Sequence, residues 1–144
     1  MIKQAVFIPQ AQISETLATA PSTGKKLLEP FKTLALAAGL PLNILEDHQV
    51  LENEAEVHQH EADLWLCLEG EVTFVCDGEM AEPWYKKLPD GQEDRREIKA
   101  KQIHNGNTYL LKPGDWLWIP AGVPHQHTTA GTARLVIIKI PVIN

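Results

Sequence analysis

From Leu42 onward the chain breaks into short apolar runs: "LNILED", "QVLEN", "AEVHQH", "DLWLCLE", "EVTFVC", "NTYLLK", "DWLWIP", "HQHTTA" and "RLVIIKIP". Gly, Pro, Asn or Asp separates most of them. None is long enough for a helix that packs by itself, and several alternate with the period of a strand. Many short strands with frequent turns predict an all-β sandwich or barrel. At 144 residues the chain has the length of one domain and can bury a substantial core.

The segment ahead of Leu42 reads differently. Residues 1–9 are expected to form a short edge strand, and residues 11–20 a helical turn with Ser14 as N-cap. Over residues 25–38, Leu27, Leu28, Phe31, Leu34 and Ala38 recur at helical spacing, and Gly39 ends the pattern. "PSTGKK" is a loop and lacks the first glycine and the hydroxyl residue of a phosphate-binding loop. Residues 1–41 therefore read as a strand and helix packing on a barrel formed by 42–144. Within that barrel, residues 78–107 form a long, densely charged insertion. Its mixed charges read as a solvated face with its own hairpin, and only its closure as a lid would bring His104 to a site. His48 and His104 are expected at the surface.

Charge and composition limit the partners. A net charge of −6 argues against nucleic acid, whose phosphates require a basic face. No run approaches the roughly 18 apolar residues of a membrane helix, and the N-terminal run is too short for a signal peptide. A cytoplasmic protein that contacts neither membrane nor nucleic acid is expected. If Glu69-Gly70 closes a tight turn, the flanking strands pair Cys67 with Val72 and set Cys76 opposite Asp63. The two cysteines then lie too far apart to bridge, so both read as free thiols.

Chemistry concentrates in two stretches. In "VHQHEADLWLCLEG", residues 57–70, alternation sets His58 and His60 on one strand face. The face carrying Asp63, Trp65 and Cys67 meets Val72 and Phe74 and is the better interior. Two histidines and a carboxylate from the next strand can converge on a metal ion. In "GDWLWIPAGVPHQHT", residues 114–128, a tight turn at Gly114-Asp115 leads into a strand, and a Pro/Gly-rich loop delivers His125. Trp116 and Trp118 read as core.

These two stretches resemble the paired motifs of the cupin superfamily, small jelly-roll barrels. The second motif matches at Gly114, Pro120, Gly122 and His125, with Thr129 where Asn is usual. The first departs from its pattern. Glu52 replaces the leading Gly, and the acid is Asp63, one residue early and in place of Glu. Gly70 closes the motif. The resemblance covers residues 42–141 and implies a double-stranded β-helix with His58, His60, Asp63 and His125 as ligands of one divalent metal. Glu61 is the substitute for Asp63, and three histidines completed by water form a further possibility. Trp65, Phe74 and Cys76 would line the pocket, and His127 would hold a ligating ring. Imidazole and carboxylate suit Fe, Mn, Ni, Zn or Co, with mixed ligands slightly favouring iron or manganese.

The expectation is a metal-dependent dioxygenase, isomerase or lyase acting on a small oxygen-rich molecule. The alternative is a metal-containing sensor or carrier without turnover, and a third reading is a metal-free barrel. A homodimer is expected, since a twofold partner would cover barrel edges and the apolar strand "RLVIIKI".

Overall fold

The computed structural model describes residues 3–143. In chain order it contains α1 (Gln10–Leu17), β1 (Gly24–Leu27), α2 (Phe31–Ala38), β2 (Leu42–Val50), β3 (Ala55–His58), β4 (Glu61–Glu69) and β5 (Val72–Cys76). There follow β6 (Glu79–Met80), β7 (Trp84–Lys87), β8 (Glu93–Ala100), β9 (Ile103–His104), β10 (Asn107–Leu111), β11 (Trp116–Ile119) and β12 (His125–Pro141). The fold is all-β, as the spacing of the apolar runs predicts, with two short helices. Neither helix is long and apolar enough to cross a membrane.

The long strand β12 organises the barrel. Its first residues, His125–Thr128, lie beside β5, and His125 also pairs with Glu56 of β3. Its later residues pair with β2 on one side and β4 on the other. A register break between Thr129 and Thr132 separates the two regimes. The strand thereby joins two antiparallel sheets, β1-β2-β12-β4-β11 and β7-β8-β3-β12-β5-β10. Side chains from both meet in one core: Leu45, Trp65, Cys67, Ile119, Leu135 and Ile137 face Val72, Phe74, Cys76 and Leu111.

Several expectations are corrected. The strands on either side of Gly70 do not pair with each other. β4 lies between β11 and β12, while β5 lies between β10 and β12. Gly70 marks a crossing from one sheet to the other, with φ of 71°. A side chain there would strike the backbone, since its Cβ would lie 1.9 Å from the Thr132 carbonyl oxygen. Cys76 is accordingly not opposite Asp63; its partners are Asn107 and His125. The inward face itself is as expected, because burial depends on alternation and not on the partner strand. Asp63, Trp65, Cys67, Val72, Phe74 and Cys76 are all buried. Both cysteines are free, and burial pushes the Cys76 thiol up to about 12, with the Asp77 carboxylate adding to it.

Residues 3–9 form no strand. Pro9, not Ser14, precedes α1, and no side chain caps it. The helix expected over 25–38 starts only at Phe31, because Gly24–Leu27 pair with Leu45–His48 as an edge strand. Its C-terminus is as the pattern requires. Gly39 is left-handed, φ 64°, and the Leu40 N–H donates to the Ala35 carbonyl at 2.9 Å. Phe31 and Ala35 bury against Leu28 and Ile44 on the outer face of β2.

Trp116 and Trp118 are surface residues, 58% and 52% exposed, since β11 is an edge strand with only its Ile119 side fully covered. "RLVIIKI" is no edge; it is the central strand of its sheet. The charged insertion does contain a hairpin, β7–β8, but β8 also pairs with β3 and extends the second sheet. His104 belongs to the small β6–β9 ribbon and is exposed. His48 is half-buried and bonds Thr132 Oγ1 through Nδ1 at 2.6 Å.

Candidate metal centre

The site forms where β3, β12 and β4 bring polar side chains to one end of the barrel. On β3 the alternating exposure pairs Glu56 with His58 on one face, with Ala55 and Val57 buried on the other. Glu56 is the cross-strand partner of both His125 and Lys99. Asp63 is the cross-strand partner of Lys139.

The second motif has a direct physical reading. Gly122 adopts φ 83°, and its N–H donates to the His58 carbonyl at 2.9 Å, pinning the loop to the end of β3. Two residues before His125, the Val123 carbonyl lies 3.1 Å from His125 Nδ1. That contact fixes the ring and turns Nε2 inward, the arrangement a ligating imidazole requires.

Donor atoms of Glu56, His58 and His125 lie within 4.8 Å of one another, and Asp63 stands against both imidazoles. Asp63 Oδ2 lies 3.4 Å from His125 Nε2 and 3.7 Å from His58 Nε2. Glu56 Oε2 lies 3.5 Å from His58 Nε2 and 4.0 Å from His125 Nε2. Ligand atoms around one first-row ion with bonds of about 2.1 Å lie roughly 3–4 Å apart, so these separations fit a shared cation. Asp63 is 1% exposed, and its Oδ2 is buried without a hydrogen-bond partner. A buried, unpartnered carboxylate oxygen is costly unless a cation meets it.

Each carboxylate accepts a hydrogen bond from a lysine. Asp63 Oδ1 accepts from Lys139 Nζ at 2.7 Å, and Glu56 Oε1 accepts from Lys99 Nζ at 2.9 Å. Burial alone would raise the Glu56 pKa, but His58 and the Lys25 and Lys99 ammonium groups hold it well below the usual carboxylate range. Burial lowers His125 to about 4, against the opposing pull of the Asp63 carboxylate. His125 is therefore neutral at pH 7, with a lone pair on Nε2 for a metal.

This depression has a testable sign. His125 binds its proton more weakly folded than unfolded, so acid favours the unfolded chain. Metal-free protein should lose folding free energy as pH falls from about 6.5 to about 4, by up to about 1.4 kcal/mol per pH unit from this group. Urea midpoints across that range check it, and His125→Asn should flatten the slope.

Of the residues expected as ligands, the structure brings together His58, Asp63 and His125. It does not bring His60. β3 ends at His58, Gln59 and His60 form a bend, and His60 is exposed. Glu61 stays at the rim, its side chain 39% exposed and its Oε1 3.9 Å from the Lys139 ammonium, and it touches neither imidazole. Glu56 completes the group instead. Its signal was legible, because the alternation that pairs His58 with His60 pairs Glu56 with His58 equally well.

His127 holds no ligating ring. Its Nδ1 lies 2.6 Å from Asp47 Oδ2, which also accepts from Thr129 Oγ1 at 3.2 Å. Thr129, at the position where the motif has Asn, thus serves a buried polar triad deeper in the barrel. The His127 ring packs between Phe74 and Trp65, at 5.1 and 5.5 Å. Beside the candidate site, His58, His60, Glu61, Lys86, Asp94, Arg96 and Glu97 line a cleft of 330 Å³. Larger clefts, of 530 and 710 Å³, open on other faces, the second of them beside His104.

No family model matches this sequence, and no curated protein matches it either. Solved structures do. An oxalate oxidase aligns at TM-score 0.50 and 14% identity over 88% of this chain and 57% of its own. The CENP-C cumin domain of Drosophila melanogaster aligns at TM-score 0.47 and 13% identity, over 80% of this chain and 64% of that one. FeII HppE aligns at TM-score 0.44 and 18% identity, over 69% and 42%. The chain spans about half the length of such structures.

Jelly-roll topology, the second motif and the oxalate oxidase alignment together define a cupin fold. The chain carries, on that fold, a possible metal site built by Glu56, His58 and His125.

Proposed function

We propose that this chain is a metal-dependent enzyme that holds one divalent ion through Glu56, His58, Asp63 and His125. The observation that carries the reading is the buried, unpartnered Asp63 Oδ2 aimed at two imidazole Nε2 atoms. Two nitrogens and two oxygens form a hard, mixed donor set, suited to iron or manganese and also to zinc, nickel or cobalt. Such an ion supplies Lewis acidity to substrate oxygens.

The chain's own residues set the rest. The 330 Å³ cleft beside His58 admits a small molecule. Its rim of Lys86, Arg96, Asp94 and Glu97 offers donors and acceptors to an oxygen-rich substrate. His58, with 13% of its side chain exposed, separates that cleft from the barrel interior. A homodimer in the cytoplasm is part of the same proposal, with exposed Trp116 and Trp118 on an edge strand as the surface a second copy would cover.

The test is elemental analysis of protein purified without affinity-tag metals, followed by turnover of small hydroxy, keto and carboxylic acids with and without dioxygen. The expected result is one divalent ion per chain and metal-dependent turnover. Stoichiometric metal without turnover across the panel would favour a non-catalytic sensor.

A further inference from the structure

Lys139 brings a second cation into the candidate metal centre. It is the direct cross-strand partner of Asp63 on β12. Its ammonium is 2.7 Å from Asp63 Oδ1 and also 3.2 Å from His58 Nε2, with Glu61 Oε1 at 3.9 Å. Lys99, which grips the other carboxylate, is a different case. Its partners are Glu54, Glu56 and Glu97, and it makes no contact with either imidazole.

The contact with His58 decides the matter. A neutral imidazole has one ring nitrogen with a free lone pair. If His58 Nε2 accepts from an ammonium, that lone pair is unavailable to a metal. If it ligates a metal, Lys139 must withdraw. Asp63 could serve both cations through its two oxygens, but His58 Nε2 cannot. Electrostatics acts in the same direction, because an ammonium within a few ångströms of an incoming dication repels it in a site of low dielectric.

We infer that Lys139 is an internal competitor for the metal: its ammonium stands in for the ion at Asp63 and His58, and metal binding displaces it. The inference rests on the metal reading above and adds an affinity-setting residue to it. Removing the ammonium strips the metal-free state of its substitute cation and leaves buried Asp63 seeking another. Both effects favour the ion. A lysine that merely braces Asp63 would have the opposite signature, since its loss would loosen a ligand and weaken binding.

The experiment is titration of metal-free, full-length protein with Co²⁺ and Zn²⁺ against a chromophoric chelator, for wild type, K139M, K139Q and K139R. K139M and K139Q should bind at least about tenfold tighter than wild type, with K139R within about threefold of it, a span typical of coupled sites. Linkage requires the reverse effect also. In wild type, saturating Zn²⁺ should speed acetylation of Lys139, read by mass spectrometry, by about threefold or more. This second readout needs no variant to fold. Equal or weaker binding by K139M and K139Q, or acetylation unchanged or slowed by Zn²⁺, overturns the inference while leaving the metal centre standing. Absence of binding in wild type and all variants overturns both. Binding by the neutral variants alone supports the inference in its strongest form.

Discussion

His125→Ala and Glu56→Ala should each weaken divalent-metal binding by on the order of 100-fold or more, while His60→Ala should leave it within about threefold; even outer partners of ligands commonly cost 10–100-fold. The contrast follows from where β3 stops. Glu56 and His58 belong to the paired part of the strand, fixed by Lys99 and Glu97 across β8. His60 lies beyond it, and the backbone there is committed elsewhere. Gln59 N–H donates to the Arg96 carbonyl, and the His60 carbonyl accepts from Val142 N–H, both at 2.9 Å. To bring its ring beside His58, the chain would have to release those bonds. Isothermal titration with Zn²⁺ or Mn²⁺ on the three variants and on His58→Ala separates the possibilities. If His60→Ala were as damaging as His58→Ala, the centre would use three histidines, and the bend after His58 would have to straighten in the metal-bound state.

That contrast also marks what could be read from the sequence. Side-chain burial follows the two-residue period of a strand, so the inner face of β4 and β5 was legible without knowing which strands pair. Pairing was not. A glycine after Glu69 reads equally as a hairpin turn and as a sheet-to-sheet crossing, and only the long-range partners β11, β12 and β10 decide between them. The site followed the same rule. His125 is placed by a local device, the Gly122 turn and the Val123 carbonyl, whose spacing is written in residues 120–125. His60 depends on how far β3 continues, and that is set by the loop of residues 120–124 and by β8, both distant in the chain. Lys139 carries no local signal at all. Within "RLVIIKI" it is one charge in an apolar strand, and its meaning depends on register against Asp63, 76 residues away.

Arg134→Ala should cost about 3 kcal/mol of folding free energy, the low end of the penalty for breaking a buried ion pair, because Lys26 still faces Glu46. Arg134 is 4% exposed and Glu46 is fully buried; Nε and one terminal nitrogen of the guanidinium donate to Glu46 Oε1 at 3.0 and 2.8 Å. The guanidinium also donates to the carbonyls of Leu17 and Thr19, at the end of α1. Those carbonyls have no further turn of helix to satisfy them, so the arginine both neutralises Glu46 and fastens α1 to the barrel. Burial by itself would raise the Glu46 pKa; Arg134 and Lys26 hold it below the ordinary value. With Arg134 gone, Lys26 at 3.0 Å and the Ser22 N–H remain as its partners. Against a typical stability of 5–15 kcal/mol this is a large fraction, and a fall in Tm of roughly 10 °C is expected. Glu46→Gln in the Arg134→Ala background should recover part of the loss, because a neutral amide needs no counterion. Proteolysis should cut first between residues 17 and 23 in Arg134→Ala, since the link between α1 and the barrel opens there before the barrel does. Lys26→Met is the control. Its side chain is one-third exposed, and solvent replaces most of what the ammonium gives. A loss equal to that of Arg134→Ala would mean that charge balance at Glu46, and not the fastening of α1, governs this face of the barrel.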